Sequence, residues 1–489
     1  MKINWKNNFL LTKLLISMVL ICSLFISIAV AEQKILNIKH CHLKGIKEQV
    51  KCGSLQVPEN YQKLNGTKIS INFAILPAID SSQNKEPLMF LAGGPGQAAV
   101  ELAAGLKIAF KEIHKTRDIL LIDQRGTGES HALKCLGFSE QDPYLTIPEE
   151  FSDEQIKTCI SRLSGDLSQY NSENAIRDFD AVRQVLGHKK VNLYGGSYGT
   201  RAGLVYMRLF PDSIRSVVLD SVGPIEVPIG LFGQSAARSF TLLLKHCQQE
   251  SACNTAYPNL AQEFDMLITR LEKTPVALNI PHPRSGNNTN ILISKGKLIS
   301  HLQFKLYSVS GRSLVPLIIH QAYLGNYLPV AGLISESETG VNMNLGLTFN
   351  ILCNEDFSKI TSDMLKLDAH NNFAGKFSNS IFKQACSLWP KYQVKDDFYQ
   401  SVTANIPTLI LSGGLDPVTP PSNGEYTRKT LPNSHHIIVD NVSHGVATST
   451  CAALIINEFL TSLAPKKLDE SCLENVPKES FMTSLNGGA

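Results

Sequence analysis

Gly195-Gly196-Ser197-Tyr198-Gly199 sets a serine among glycines at the spacing G-x-S-x-G. Where such a run joins a strand to a helix, the sharp turn pushes the hydroxyl above the sheet as a nucleophile. An ordinary tight turn is the plain alternative. A serine hydroxyl is a poor nucleophile at neutral pH and needs a base oriented by a third group. Two residues downstream suit those parts. Asp416 stands in Ser412-Gly413-Gly414-Leu415-Asp416-Pro417, and His444 in Asn441-Val442-Ser443-His444-Gly445. Each follows an apolar run, in the chain order serine, acid, histidine that one acyl-transfer architecture uses. His435 and His436 are rivals, but they begin a strand and point into or across the sheet. Asp440 reads as a turn residue.

Acyl transfer also needs two donors aimed at the developing oxyanion. The backbone N–H of Tyr198, just after the serine, is one. The other falls to the loop Gly93-Gly94-Pro95-Gly96, with Gly94 as the donor, because glycine lets the backbone approach without a side-chain clash. A plain tight turn is again the alternative. Asp123-Gln124-Arg125-Gly126-Thr127-Gly128 resembles a phosphate loop, but it lacks the lysine and the following helix such a loop needs. It reads as a loop bracing the site. Sequons at Asn65, Asn287 and Asn441 carry little weight, since the pattern arises often by chance.

The elements around these residues alternate short apolar runs with helical patterns, as in a mostly parallel sheet covered by helices on both faces. Strands are expected at Ile69 to Leu76, Leu88 to Leu91, Ile119 to Ile122, Val191 to Tyr194, Ser216 to Leu219, Thr408 to Leu411 and His436 to Val439. Ser172 to Leu186 is helical, with Ala175, Phe179, Val182 and Leu186 on one face and Gly187 as its stop. A further helix is expected from about Ala202 to Leu209. Between about 225 and 400 the alternation is lost. Helices at Ser235 to Gln249, Leu260 to Leu271 and Leu298 to Tyr307 are joined by polar loops such as Pro281 to Asn290, which suggests an inserted, mainly helical cap domain. The expected division is residues 32–224 and 401–489 as core and 225–400 as cap.

Residues 1–31 read as an export signal: Lys2, Lys6 and Lys13, an apolar run from Leu14 to Val30, then Ala29-Val30-Ala31 as a cleavage pattern. An uncleaved anchor is the alternative, although the run is slightly short for a span. A lipoprotein reading of Cys22 suffers from the bulky Ile21 before it. With the signal removed no stable membrane insertion is expected, and the protein is placed in the periplasm or the medium. The chain carries 46 Lys+Arg against 43 Asp+Glu, and loss of the three signal lysines leaves 43 against 43. A neutral chain gives no electrostatic case for nucleic acid as a partner.

Of 11 cysteines, Cys22 falls in the signal and ten remain, an even number that suits disulfides in an oxidising compartment. Sequence leaves their connectivity open. The simplest local closure pairs 41 with 52, 135 with 159, 247 with 253, 353 with 386, and 451 with 472. No cysteine–histidine grouping has metal-ligand spacing, so no metal is expected.

Taken together, Gly-Gly-Pro-Gly at 93–96, Asp-Gln-Arg-Gly-Thr-Gly at 123–128, Gly-Gly-Ser-Tyr-Gly-Thr at 195–200, Asp416 and His444 resemble the proline iminopeptidase and tripeptidyl aminopeptidase family of α/β-hydrolases. The resemblance runs through Asn171 to Gly187 and Leu219-Asp220-Ser221. It reaches the tail, where Cys451 and Cys472 look like the paired cysteines of the secreted tripeptidyl aminopeptidase branch. In the cap it is looser, through Cys247, Cys253 and Asn350-Ile351-Leu352-Cys353-Asn354-Glu355-Asp356.

The resemblance implies an α/β-hydrolase fold and a serine exopeptidase acting on peptides with a free N-terminus. In that family acidic cap side chains hold the substrate ammonium, and here Glu355 and Asp356 are the candidates. Their alternative is a solvated or turn-capping role. Ala92 stands where many iminopeptidases have histidine, which weakens a transfer of strict proline preference. No cofactor is implied. A carboxylic ester hydrolase with the same triad remains open, as does a catalytically silent binding protein, although the latter has no need of triad and oxyanion loop together. Epoxide hydrolases and dehalogenases use aspartate where this chain has Ser197.

Overall fold

Uninterrupted apolar runs become the inner strands of one sheet. In chain order the strands are β1 (Asn37–Cys41), β2 (Val50–Pro58), β3 (Lys68–Leu76), β4 (Leu88–Leu91), β5 (Ile119–Ile122), β6 (Val191–Gly196), β7 (Ile214–Asp220), β8 (Val276–Pro281), β9 (Asn288–Ile293), β10 (Thr408–Gly413) and β11 (Ser434–Val439). The computed structural model describes residues 37–83, 85–135, 152–282, 285–336, 343–375 and 380–487. The export signal expected over 1–31 lies outside them.

The sheet has nine strands in the order β1-β2-β3-β5-β4-β6-β7-β10-β11. From β5 to β11 every neighbour is parallel, and β1, β2 and β3 complete the other edge antiparallel. Every residue of β4, β5 and β10 is buried, as expected for strands covered on both faces. β1 and β2 escape a search for apolar runs. β2 alternates buried and exposed residues and mixes in Lys51, Ser54 and Gln56, the pattern of an edge ribbon with one wet face.

Helices fill both faces. α1 (Ser172–Val185) packs Ile176, Phe179 and Val182 on one face with α2 (Tyr198–Leu209), whose Leu204 and Val205 share that core. The Asn171 side chain caps α1 by accepting from Asn174 N–H, and Gly187 ends it at φ 78°. α2 starts at Tyr198, earlier than the sequence pattern suggests, because the serine turn itself opens the helix.

Between β7 and β10 lie α3 (Gly233–Gln249), α4 (Leu260–Lys273), α5 (Lys295–Lys305), α6 (Val309–Tyr323) and α7 (Leu345–Ile351); α3 to α6 share their own apolar cluster including Leu243, Leu267, Leu302 and Ile319, whereas Leu347 and Ile351 of α7 join the core of α1 and α2. Within the stretch Pro281 to Asn290, expected as a polar loop, Pro281 ends β8 and Asn288 to Asn290 begin β9, and the two strands pair antiparallel as a hairpin. The strand residues alternate in exposure, so one face packs on the helices while the other is turned outward. α8 (Ala452–Ser462) covers the second face of the sheet through Ile455, Ile456 and Phe459. All five cysteine pairs of the simplest local closure are bonded: 41–52, 135–159, 247–253, 353–386 and 451–472.

Candidate active site

Strand order decides which loops meet. β4 and β6 are adjacent and parallel, with Leu91 opposite Gly195, so the loops that leave them emerge side by side. Those loops hold Gly93 to Gly96 and Ser197. A Cβ on Gly93 would lie 3.3 Å from Ser197 Cβ, so the two loops are in contact. Ser197 has φ 56° and ψ −122°, a strained backbone for a residue with a side chain. That turn is possible because its flanks carry no Cβ. One on Gly195 would meet Gly199 O at 2.3 Å, and one on Gly199 would meet Leu91 O at 2.0 Å.

Asp416 follows β10 and His444 follows β11, the next strands across from β7, so both reach the same carboxyl edge as the serine. His444 Nδ1 is 2.7 Å from Asp416 Oδ2. Asp416 is fully buried. Its Oδ1 accepts from Val418 N–H at 2.9 Å and Thr419 N–H at 2.8 Å, and its Oδ2 from Thr419 Oγ1 at 2.7 Å. Burial pushes this carboxyl up, but the His444 charge, its hydrogen bond and those two N–H groups outweigh burial and hold it below the usual range. For His444 burial pulls down, while the charge and hydrogen bond of Asp416 and the charge of Asp220 prevail and raise it above its ordinary value. With Nδ1 committed to Asp416, the Nε2 side of the ring is left to accept a proton. Among the described residues neither Nε2 nor Ser197 Oγ has a hydrogen-bond partner. Such bonds often tighten only once substrate is seated.

Gly93 N–H donates to Gln97 Oε1 at 3.0 Å, whereas the N–H groups of Gly94 and Tyr198 meet no acceptor among the described residues. Residues at and before the start of α7 steady the glycine loop. Asn344 N–H and Nδ2 donate to Gly96 O at 2.9 and 3.0 Å, and Thr348 Oγ1 donates to Pro95 O at 2.6 Å. Asp123 ties the segment that follows this loop to β3 by accepting from Val100 N–H and Asn72 Nδ2, both at 2.9 Å.

A strained serine turn, a buried Asp–His pair and a free-donor glycine loop converge on the carboxyl edge of one sheet. Residues 86–243 match the family described as alpha/beta hydrolase fold, and residues 371–472 the family described as TAP-like protein. The chain is an α/β-hydrolase. This hydrolase is 23% identical to serine protease Hip1 of Mycobacterium tuberculosis over 84% of each chain. It is 30% identical to a tripeptidyl aminopeptidase of Streptomyces lividans over 36% of each. It is also 30% identical to carboxylesterase B of Mycobacterium tuberculosis, over 46% of this chain and 47% of that one.

In this hydrolase Glu355 and Asp356 sit on a single π-turn, Leu352–Asp356, directly after α7, and both are buried rather than solvated. Glu355 accepts from Ser172 N–H at 2.7 Å and Ser172 Oγ at 2.5 Å, and Ser172 Oγ lies 2.7 Å from Tyr198 Oη. It is thereby joined to the residue after Ser197. Burial, moderated by the Ser172 bonds, pushes its carboxyl up to about 7. Asp356 is matched by Arg201, whose Nη1 donates to Oδ1 at 2.6 Å, so its charge is already neutralised.

Other contributors stand outside the triad and the oxyanion loop. Asp220 accepts from Val446 and Ala447 N–H at 2.9 and 2.8 Å, and Ser221 Oγ accepts from Gly445 N–H at 2.9 Å, which clamps the loop that carries His444. An aspartate closing a buried strand is the signal that marks them. His435 and His436 are engaged elsewhere, with Glu470 and with Glu425 and Ser412. The cap reaches the loops of both Asp416 and His444: His444 N–H donates to Tyr307 O at 3.1 Å, and Ser239 Oγ donates to Leu415 O at 2.6 Å.

Proposed function

We propose that this chain is an exported serine aminopeptidase that cleaves residues from the free N-terminus of peptides. In this reading Ser197 Oγ attacks the scissile carbonyl and His444 Nε2 takes its proton. Asp416 holds the ring and balances the imidazolium, and the N–H groups of Tyr198 and Gly94 receive the oxyanion. His444 then protonates the leaving amine, and water repeats the sequence on the acyl-enzyme.

The observation that carries the peptidase reading over an ester hydrolase is Glu355. A buried carboxylate wired through Ser172 to Tyr198 suits the ammonium of a substrate, whereas a simple ester makes no use of it. Asp356 accompanies it and keeps Arg201 paired. The relatives named as serine protease and tripeptidyl aminopeptidase support the same reading. Five disulfides and the signal expected at the N-terminus support an exported protein. Among the described residues no helix is long and apolar enough to cross a membrane.

The test is to offer aminoacyl and tripeptidyl anilides, with free and blocked amines, together with a short nitrophenyl ester, to the mature protein and to its Ser197→Ala variant. The reading expects turnover of the free-amine substrates only, lost in the variant. Turnover of the ester alone moves the assignment to an esterase and leaves Glu355 without this role.

A further inference from the structure

The C-terminal tail leaves the sheet and enters the cap. Phe481 belongs to the same apolar cluster as α3, α4 and α6, Met482 N–H donates to Ser313 O at 3.0 Å, and Tyr257 Oη donates to Met482 O at 2.8 Å. This route buries an acid, Glu479, whose side chain is 1% exposed. Its Oε1 accepts from Arg312 Nε, its Oε2 accepts from Arg312 Nη2 at 3.3 Å, and Oε2 lies 2.8 Å from His246 Nδ1.

The contacts continue toward the triad. Arg312 is fully buried, and its Nη1 donates to Ser239 Oγ at 2.6 Å and Ser239 O at 3.2 Å. Ser239 Oγ spends its own proton on Leu415 O, the carbonyl just before the catalytic acid. Beside it Arg238 donates to Gly414 O at 2.7 Å and Asp416 O at 3.0 Å. Three successive carbonyls of the acid loop are therefore held from α3, and α3 is held from the tail.

Charge follows the same line. Arg238 donates only to carbonyls and feels the Asp416 charge without a direct ion pair, while Arg312 is ion-paired with Glu479. The groups facing Arg312 are Glu479, Ser239 and the neighbouring cation Arg238, and those facing Glu479 are Arg312 and His246. The groups facing the His444 ring are Asp416, Thr419 and Tyr307, with Asp220 behind. With Glu479 neutral, an unmatched cation would stand one residue contact from the acid loop as the imidazolium forms.

We propose that Glu479 is a positioning residue for the reaction: through Arg312 and Ser239 the tail fixes the acid loop and cancels a cation that would oppose charge on His444. The proposal rests on the triad reading above, but not on whether the substrate is a peptide or an ester.

The experiment follows the rate at which a fluorophosphonate modifies Ser197 across pH in the full mature chain. The variants are Glu479→Gln, Ser239→Ala and the double variant Glu479→Gln/Arg312→Gln, each with its thermal midpoint. Glu479→Gln is expected to slow labelling about 10-fold. Its acid limb should move to lower pH, because added positive charge disfavours protonated histidine. The double variant should restore the limb but not the rate, and Ser239→Ala should slow labelling with the limb in place. Glu479→Gln at the wild-type rate with an unmoved limb overturns the proposal, whatever happens to the midpoint. If that variant does not fold, Ser239→Ala at the wild-type rate overturns it. A wild-type protein that resists labelling sinks the triad reading and this proposal together.

Discussion

The ring of Tyr307 stands edge-on to the imidazole of His444, with 5.2 Å between centroids and planes 68° apart. Because the backbone of the same tyrosine accepts from His444 N–H, one cap residue orients both the loop and the ring of the base. Tyr307→Ala should lower kcat about 10-fold with little change in KM, as expected when a base loses its alignment. Tyr307→Phe keeps the ring and should retain most of the activity. Steady-state kinetics on both variants check this, and equal losses would shift the role to the hydroxyl.

Asp416→Asn preserves the shape of the acid but not its charge. The variant should leave the thermal midpoint close to wild type and lower kcat by about 10⁴-fold, because the imidazole loses the tautomer and the charge partner it needs. A loss of only a few-fold would remove Asp416 from the triad.

The pH profile carries a sign. In the proposed mechanism His444 acts as a base only when neutral, and its neighbours hold it above the ordinary value of 6.5. kcat/KM should therefore fall as the pH drops through a midpoint above 6.5. Asp220 contributes to that rise, so Asp220→Asn should move the midpoint down. A pH–rate profile of the two proteins measures it, and an unmoved midpoint would mean that the Asp220 charge does not reach the ring.

Glu355 is ionised above about 7 and neutral below. If it holds the substrate ammonium, KM for free-amine substrates should rise as the pH falls below about 7, while that for blocked substrates stays level. Glu355→Gln should raise the free-amine KM about 10- to 100-fold at pH 8, the worth of one charge-assisted hydrogen bond. Equal effects on free and blocked substrates would assign the residue to packing instead.

Arg125 and Asp178 are both fully buried and joined by two hydrogen bonds of 2.7 Å beneath the Asp123 loop. Asp178→Ala leaves an uncompensated guanidinium and should reduce stability by about 3–5 kcal/mol. Urea unfolding of the oxidised protein reads this directly. A loss under 1 kcal/mol would show that the arginine finds water.

Much of the candidate site's placement was legible in the chain because each part follows a strand that sequence reveals. Ser197, Asp416 and His444 each follow a short apolar run, and parallel packing sends such runs to one edge. Tyr307, Arg238, Ser239 and Glu479 left no such trace. Their effect rests on contacts between segments more than 100 residues apart, and each taken alone reads as an ordinary helix or tail residue. The same limit hid β1, β2 and the β8–β9 hairpin, whose half-exposed strands lack an apolar run. Glu355 lay between: the motif around it was visible, but its burial and its bond to Ser172 depend on how α7 meets α1.

The sheet is completed late. β7 bears Asp220 and waits for β10 as its neighbour, pairing Val217 with Thr408 across the whole inserted cap. During synthesis the serine turn therefore emerges long before either the acid or the base exists, and no local refolding can supply them. A nascent or truncated chain displays the nucleophile but is inert. A hydrolase of this topology is thus silent until its last strands and its tail have found their places.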